Sequence, residues 1–127
     1  MIKGLESLTL FSENAKRLAE FYQEKVGLVV TMEEQMGDNN ERLYAFELSE
    51  GGMLAIMDHS RVKGRNKEPD RSIFNLKVDD VDDEVKKLDN RGVKKVQDTY
   101  PVEGYGLIAT FEDVDGNYFQ LVQLKES

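Results

Sequence analysis

A chain of 127 residues, 39% hydrophobic and 33% charged, is long enough for one buried core and too short for two independent domains, so any two halves within it must complete one another. Seventeen basic and 25 acidic side chains give a net charge of −8, divided equally between residues 1–63 (seven basic, eleven acidic) and 64–127 (ten basic, fourteen acidic), so neither half suits a nucleic-acid backbone. No apolar run is long enough for a bilayer, the start Met1-Ile2-Lys3-Gly4 lacks a signal peptide's apolar stretch, and the absence of Cys excludes disulfides and thiolate metal sites; a cytoplasmic protein is expected.

Residues 5–12 alternate, with Leu8 and Leu10 on one side and Ser7, Thr9 and Phe11 on the other, which predicts a first strand. Asn14 can cap a helix whose apolar positions Ala15, Leu18, Ala19, Tyr22 and Val26 recur at three- and four-residue steps until Gly27 ends it. Strands follow at 28–34, 42–48 and 53–58, separated by the turn-forming runs Gly37-Asp38-Asn39-Asn40 and Ser49-Glu50-Gly51-Gly52. Met53 and Met57 are assigned to the helix-facing side as core.

The stretch 60–71 carries Arg61, Lys63, Arg65, Lys67 and Arg71 against only Glu68 and Asp70, and reads as an exposed linker. Beyond it, residues 73–78 alternate as a strand. Asp80 caps a second helix with Asp82, Asp83 and Glu84 in its first turn and Lys86, Lys87 and Arg91 toward its end, an order that complements the helix dipole. Val81, Val85 and Leu88 form its apolar stripe and Gly92 ends it. Strands are predicted at 95–102, 106–112 and 118–124, the last two joined by the hairpin signal Asp113-Val114-Asp115-Gly116-Asn117.

The chain therefore states one strand, one helix and three strands twice, with Gly27 matched by Gly92 and Gly51 by Gly116 at a spacing of 65 residues. The expected class is α+β: one domain over 1–127, with a first βαβββ module at 1–59, the linker at 60–71 and a second module at 72–127.

The run Ser7-Leu8-Thr9-Leu10, then Phe21-Tyr22, then Val26-Gly27-Leu28, with Phe111-Glu112-Asp113-Val114-Asp115-Gly116-Asn117 before a final strand, resembles the vicinal oxygen chelate superfamily. That superfamily includes glyoxalase I, extradiol dioxygenases, fosfomycin-resistance enzymes and bleomycin-resistance proteins. The resemblance implies paired βαβββ modules whose mixed sheets curl around a cleft, commonly completed by dimerisation. Its enzymes hold a divalent metal on four inward His or Glu side chains, one from the first and one from the last strand of each module.

Carried onto this chain, those positions fall at Ser7, Ile56, Ile73 and Gln120. Two aliphatic side chains, a hydroxyl and a neutral amide do not balance a dication, so no metal and no cofactor are expected. A one-residue slip offers Glu6 or Ser72, which face the other side of their strands. The same parity gives the cleft an apolar lining of Phe11, Ile56, Ile73 and Val122, with Ser7, Thr9, Asn75, Lys77 and Gln120 as polar contacts. The aliphatic positions serve equally well as core. Tyr105 and Phe111, with Tyr100, flank Pro101 and Gly104 near the cleft mouth and suit either stacking on a flat ligand or pinning a loop. His59, the one His, is a candidate for acid–base work at the edge of the linker.

The sequence thus predicts binding of a small, partly apolar organic ligand, as in bleomycin-resistance-type proteins, by a homodimer with no nucleic-acid or membrane partner. Two other readings stand beside it. One is a glyoxalase- or dioxygenase-like enzyme whose metal is displaced toward Asp58 and His59; the other is an accessory or regulatory subunit that docks through the basic 61–71 stretch.

Overall fold

Asn14 and Asp80 set the plan of the two halves. The Asn14 side chain accepts the Arg17 N–H at 3.1 Å and the Asp80 carboxylate accepts the Asp83 N–H at 3.2 Å, so each starts a helix directly after a strand. In the computed structural model, which describes residues 1–126, the elements are β1 (Ser7–Ser12), α1 (Ala15–Phe21), β2 (Met32–Met36), β3 (Glu41–Glu47) and β4 (Met53–Asp58). The second set is β5 (Ile73–Lys77), α2 (Val81–Asn90), β6 (Lys94–Val102), β7 (Gly106–Glu112) and β8 (Tyr118–Leu124). Ser127, the last residue of the expected second module, lies outside the described residues.

The βαβββ order occurs twice, as expected. Each set forms one four-stranded mixed sheet, ordered β1-β4-β3-β2 and β5-β8-β7-β6, in which only the first and last strands of a set run parallel. The described chain divides into two compact units between Gly64 and Arg65.

In the first unit α1 covers one face of its sheet. Ala15, Leu18 and Tyr22 are buried there with Phe46, Leu54 and Ile56. In the second, α2 buries Val81 and Leu88, and the rings of Phe74, Phe119 and Phe111 stack across β5, β8 and β7 with successive centroids 6.1 Å apart. These apolar layers supply the dominant stabilisation of each unit.

Most strand ends lie within two residues of the sequence reading, and the larger departures are in the first helix and the strand after it. The first helix widens to π-helical turns over Tyr22–Val26 and closes at Gly27, whose φ of 91° is left-handed, with the Leu28 N–H donating to the Tyr22 carbonyl at 3.0 Å. The strand expected at 28–34 begins only at Met32. Its partner β3 ends at Glu47, and pairing stops where the Thr31 N–H donates to the Ala45 carbonyl, so Leu28, Val29 and Val30 have strand propensity but lie past the ladder.

The basic stretch is exposed, yet it is held within each unit. On the first side the Gly64 N–H donates to the Glu13 carboxylate at 2.9 Å. On the second, Arg65 pairs with Glu112 at 2.7 Å and the Asn66 N–H donates to the Asp115 carbonyl at 2.8 Å.

Candidate ligand-binding faces

With a helix on one face of each sheet, a ligand can reach only side chains that alternate to the other face and stay accessible there; on the second sheet Ile73 and Asn75 do, whereas Thr110, Val122 and Ile108 are buried. Register decides which those are. In the first unit Ser7 pairs with Met53, Thr9 with Ala55 and Phe11 with Met57, while Leu10 pairs with Ile56 and Ile56 with Tyr44. Asp58 lies on the Ile56 side and accepts the Ala15 N–H of α1, which fixes that side as the helix face.

Four assignments change as a result. Ile56, expected in the cleft, is fully buried beneath α1. Met53 and Met57, expected beneath the helix, lie with Ser7, Thr9 and Phe11 on the helix-free face. The cause is parity: the position carried over for the fourth strand was one residue out of step with the actual β1–β4 pairing, and a slip of one reverses every side chain. Phe111 is the fourth. It pairs with Phe119, on the side where Gln123 accepts the Val81 N–H of α2 at 2.9 Å, so it fills the core of the second unit instead of stacking on a ligand.

The helix-free face of the second sheet brings several expected residues together. Asn75 on β5, Gln120 on β8 and Thr110 on β7 stand opposite one another, and Gln97 on β6 pairs with Thr110. The Gln120 amide N–H donates to the Thr110 hydroxyl at 3.0 Å. On one side of this polar row run Lys77, Val122 and Ile108; on the other run Ile73, Tyr118 and Glu112. Ile73 is 44% exposed whereas Val122 and Ile108 are buried. Thr110 escaped the sequence reading, although the Asp113–Asn117 hairpin turn already aligned it with Gln120.

The remaining candidates lie at sheet ends. Tyr105 is exposed in the turn between β6 and β7, where its N–H donates to Val102 and its carbonyl accepts from Lys125. His59 follows β4. Its ring meets the 46%-exposed Phe11 edge-on at a centroid distance of 5.1 Å, and its Nδ1 accepts the Arg61 N–H at 3.1 Å.

The donors at these places do not fit a divalent cation. Ser7 has Met53, Ala55 and Met57 on the neighbouring strand of its face, and Gln120 has Asn75 and Thr110, so hydroxyls, amides and thioethers stand where carboxylates and imidazoles would be needed. Nor do Asp58 and His59 converge on a common point. One Asp58 oxygen accepts Ala15 and the other accepts the Arg42 N–H at 2.9 Å, both on the helix side, whereas the His59 ring lies against Phe11 of the opposite face. Among the described residues no three His, Cys, Asp or Glu side chains form a metal-sized group. Among the same residues no helix is long and apolar enough to cross a membrane.

The fold has known counterparts. The chain is 25% identical over 121 residues to the uncharacterized protein YetH of Bacillus subtilis (strain 168), covering 95% of this chain and 98% of that one. Its fold is shared by TnmS3, an antibiotic binding protein from Streptomyces sp. CB03234, with a TM-score of 0.75 and 23% identity over 98% of each chain. It is shared as well by FosX, the genomically encoded fosfomycin resistance protein of Listeria monocytogenes, with a TM-score of 0.75 and 21% identity over 98% of this chain and 96% of that one. The family model for these proteins matches residues 4–121, and the chain belongs to the glyoxalase/bleomycin resistance protein/dioxygenase superfamily.

Proposed function

We propose that this protein binds and sequesters a small, partly apolar organic molecule on the helix-free faces of its sheets without a metal, as a cytoplasmic homodimer. The observation that supports this most directly is the row Asn75, Gln120 and Thr110, with the Gln120–Thr110 hydrogen bond of 3.0 Å at its centre and apolar Val122 and Ile108 beside it. A few fixed polar groups among apolar ones are what orients a small ligand. Relatives of this fold that bind or resist antibiotics give the reading its substrate class.

The test is equilibrium titration with a panel of aromatic antibiotics, followed through the tyrosines of a chain that has no Trp, with recovery of the compound afterwards. One unchanged compound per chain is the expected result. Gln120→Leu and Thr9→Val should each weaken binding by about tenfold, the size of one lost hydrogen bond. Unchanged affinity in both variants rejects the face assignment. Stoichiometric Fe, Mn, Ni or Zn in protein prepared without a His tag rejects the metal-free reading, and a monomer in sedimentation rejects the dimer.

A further inference from the structure

The two halves carry equal net charge, yet their helix-free faces do not. On the second sheet Lys77 and Lys94 lie on that face, and Glu112 is paired with Lys94 at 3.4 Å as well as with Arg65. On the first sheet the alternation and register bring Glu34, Glu41 and Glu47 to the helix-free face, and no Lys or Arg stands at any of its positions on β1 to β4. Among the described residues none of these three acids is in an ion pair.

The rest of that face is soft and apolar. Met32, Met36, Met53 and Met57, four of the chain's five methionines, are all on it. Phe11 joins them at one end. Thr9, Ala55 and Ala45 form a central row of small side chains, with the longer Met57 and Leu43 in the next row. Ala45 and Ala55 of that row are buried, so the longer Phe11, Met32 and Met36, each more than a third exposed, present the face to a flat body, and thioethers adapt to an aromatic ring and contact it favourably. Carboxylates at the margin, with no cation to answer them, favour a positive charge on the same molecule.

We infer that the first sheet's helix-free face selects an organic cation with a planar aromatic body. The inference rests on the small-molecule reading above and adds the sign of the ligand's charge and the half of the chain that reads it.

Three acridines of nearly equal size separate the possibilities: cationic proflavine, neutral acridine and anionic acridine-9-carboxylate, titrated by fluorescence at pH 7.4. Proflavine should bind at least tenfold more tightly than acridine, and the carboxylate least. E34Q/E41Q/E47Q should remove the preference while leaving acridine affinity within twofold, and M53A/M57A should weaken all three. D79N/D82N/E103Q, which removes three exposed charges of the second unit, should keep the preference. A preference that survives the first triple substitution, or vanishes equally in the second, overturns the inference.

Acridine binding without discrimination by charge overturns it and leaves the small-molecule reading standing. If no acridine binds, the inference falls; if the antibiotic panel is blank as well, the broader reading falls with it. A change in oligomeric state on M53K/M57K with proflavine binding intact identifies the face as a subunit contact and also overturns it.

Discussion

The Asp58 carboxylate accepts the Ala15 N–H at 2.8 Å, so the end of β4 holds the first turn of α1. The second half repeats the device 65 residues later: Gln123 on β8 accepts the Val81 N–H at 2.9 Å at the start of α2. Both satisfy a helix N–H that has no partner within its own helix. One anchor is charged and the other neutral, so the two halves should respond differently to pH.

Partial burial pushes the Asp58 pKa up, but the N–H groups of Ala15 and Arg42 and the Arg42 guanidinium outweigh it and hold the group below its ordinary 3.8. A depressed carboxylate stabilises the fold fully above its unfolded value and loses that contribution as pH falls through the folded one. Stability should therefore drop on acidification below pH 3.8. Asp58→Asn should cost about 1–3 kcal/mol at neutral pH and flatten that acid limb, whereas Gln123→Leu should cost about 1 kcal/mol with the limb intact. Urea midpoints measured from pH 2 to 7 decide it; parallel profiles for wild type and Asp58→Asn would sink the assignment.

Ile56 now belongs to the core, and its truncation should behave accordingly. Ile56→Ala removes a fully buried side chain packed under α1 and should destabilise by about 2–5 kcal/mol. Binding per folded molecule should stay unchanged. A stable variant with lost affinity would return Ile56 to the ligand site.

The fold was legible because its signals are local. Asn14, Asp80, Gly27 and the Asp113–Asn117 turn each act within a few residues, and their repetition showed the duplication. The faces of the candidate residues were legible only where parity was anchored: Ser7, Thr9 and Asn75 lie on the faces that alternation gave them, while Ile56 and the methionines moved because β1–β4 register depends on a crossover pairing no local pattern reports. Phe111 changed face for a different reason. It lies within a strand flanked by aromatic residues, and its face follows from counting back from the hairpin turn and not from composition.

Asp113 is the organising residue of that hairpin. One carboxylate oxygen accepts the N–H groups of Asp115 and Asn117, each at 2.9 Å, and the other accepts the Asn117 side-chain amide at 3.1 Å. The residue is buried, so Asp113→Ala should leave donors unmatched and cost about 2–3 kcal/mol. Amide exchange should accelerate first at Asp115 to Asn117 and then along β7 and β8. Uniform acceleration across both units would indicate a global effect and refute the local role.

Gly106 begins β7 at a φ of 155°, and a Cβ there would overlap the carbonyl oxygen of Gln123 on the neighbouring strand. Because the obstacle is backbone in a paired strand, it cannot rotate away; the β7–β8 ladder must spread instead. Gly104, two residues earlier in the turn, also has a positive φ, of 77°, but nothing lies within 4 Å of its Cβ position. The pair therefore separates steric overlap from conformational strain. Gly104→Ala should cost about 1 kcal/mol, the ordinary left-handed penalty, and Gly106→Ala should cost about 2–4 kcal/mol. Equal shifts of the two variants in chemical denaturation would show that the contact at Gln123 relaxes freely and that backbone conformation alone selects glycine at both places.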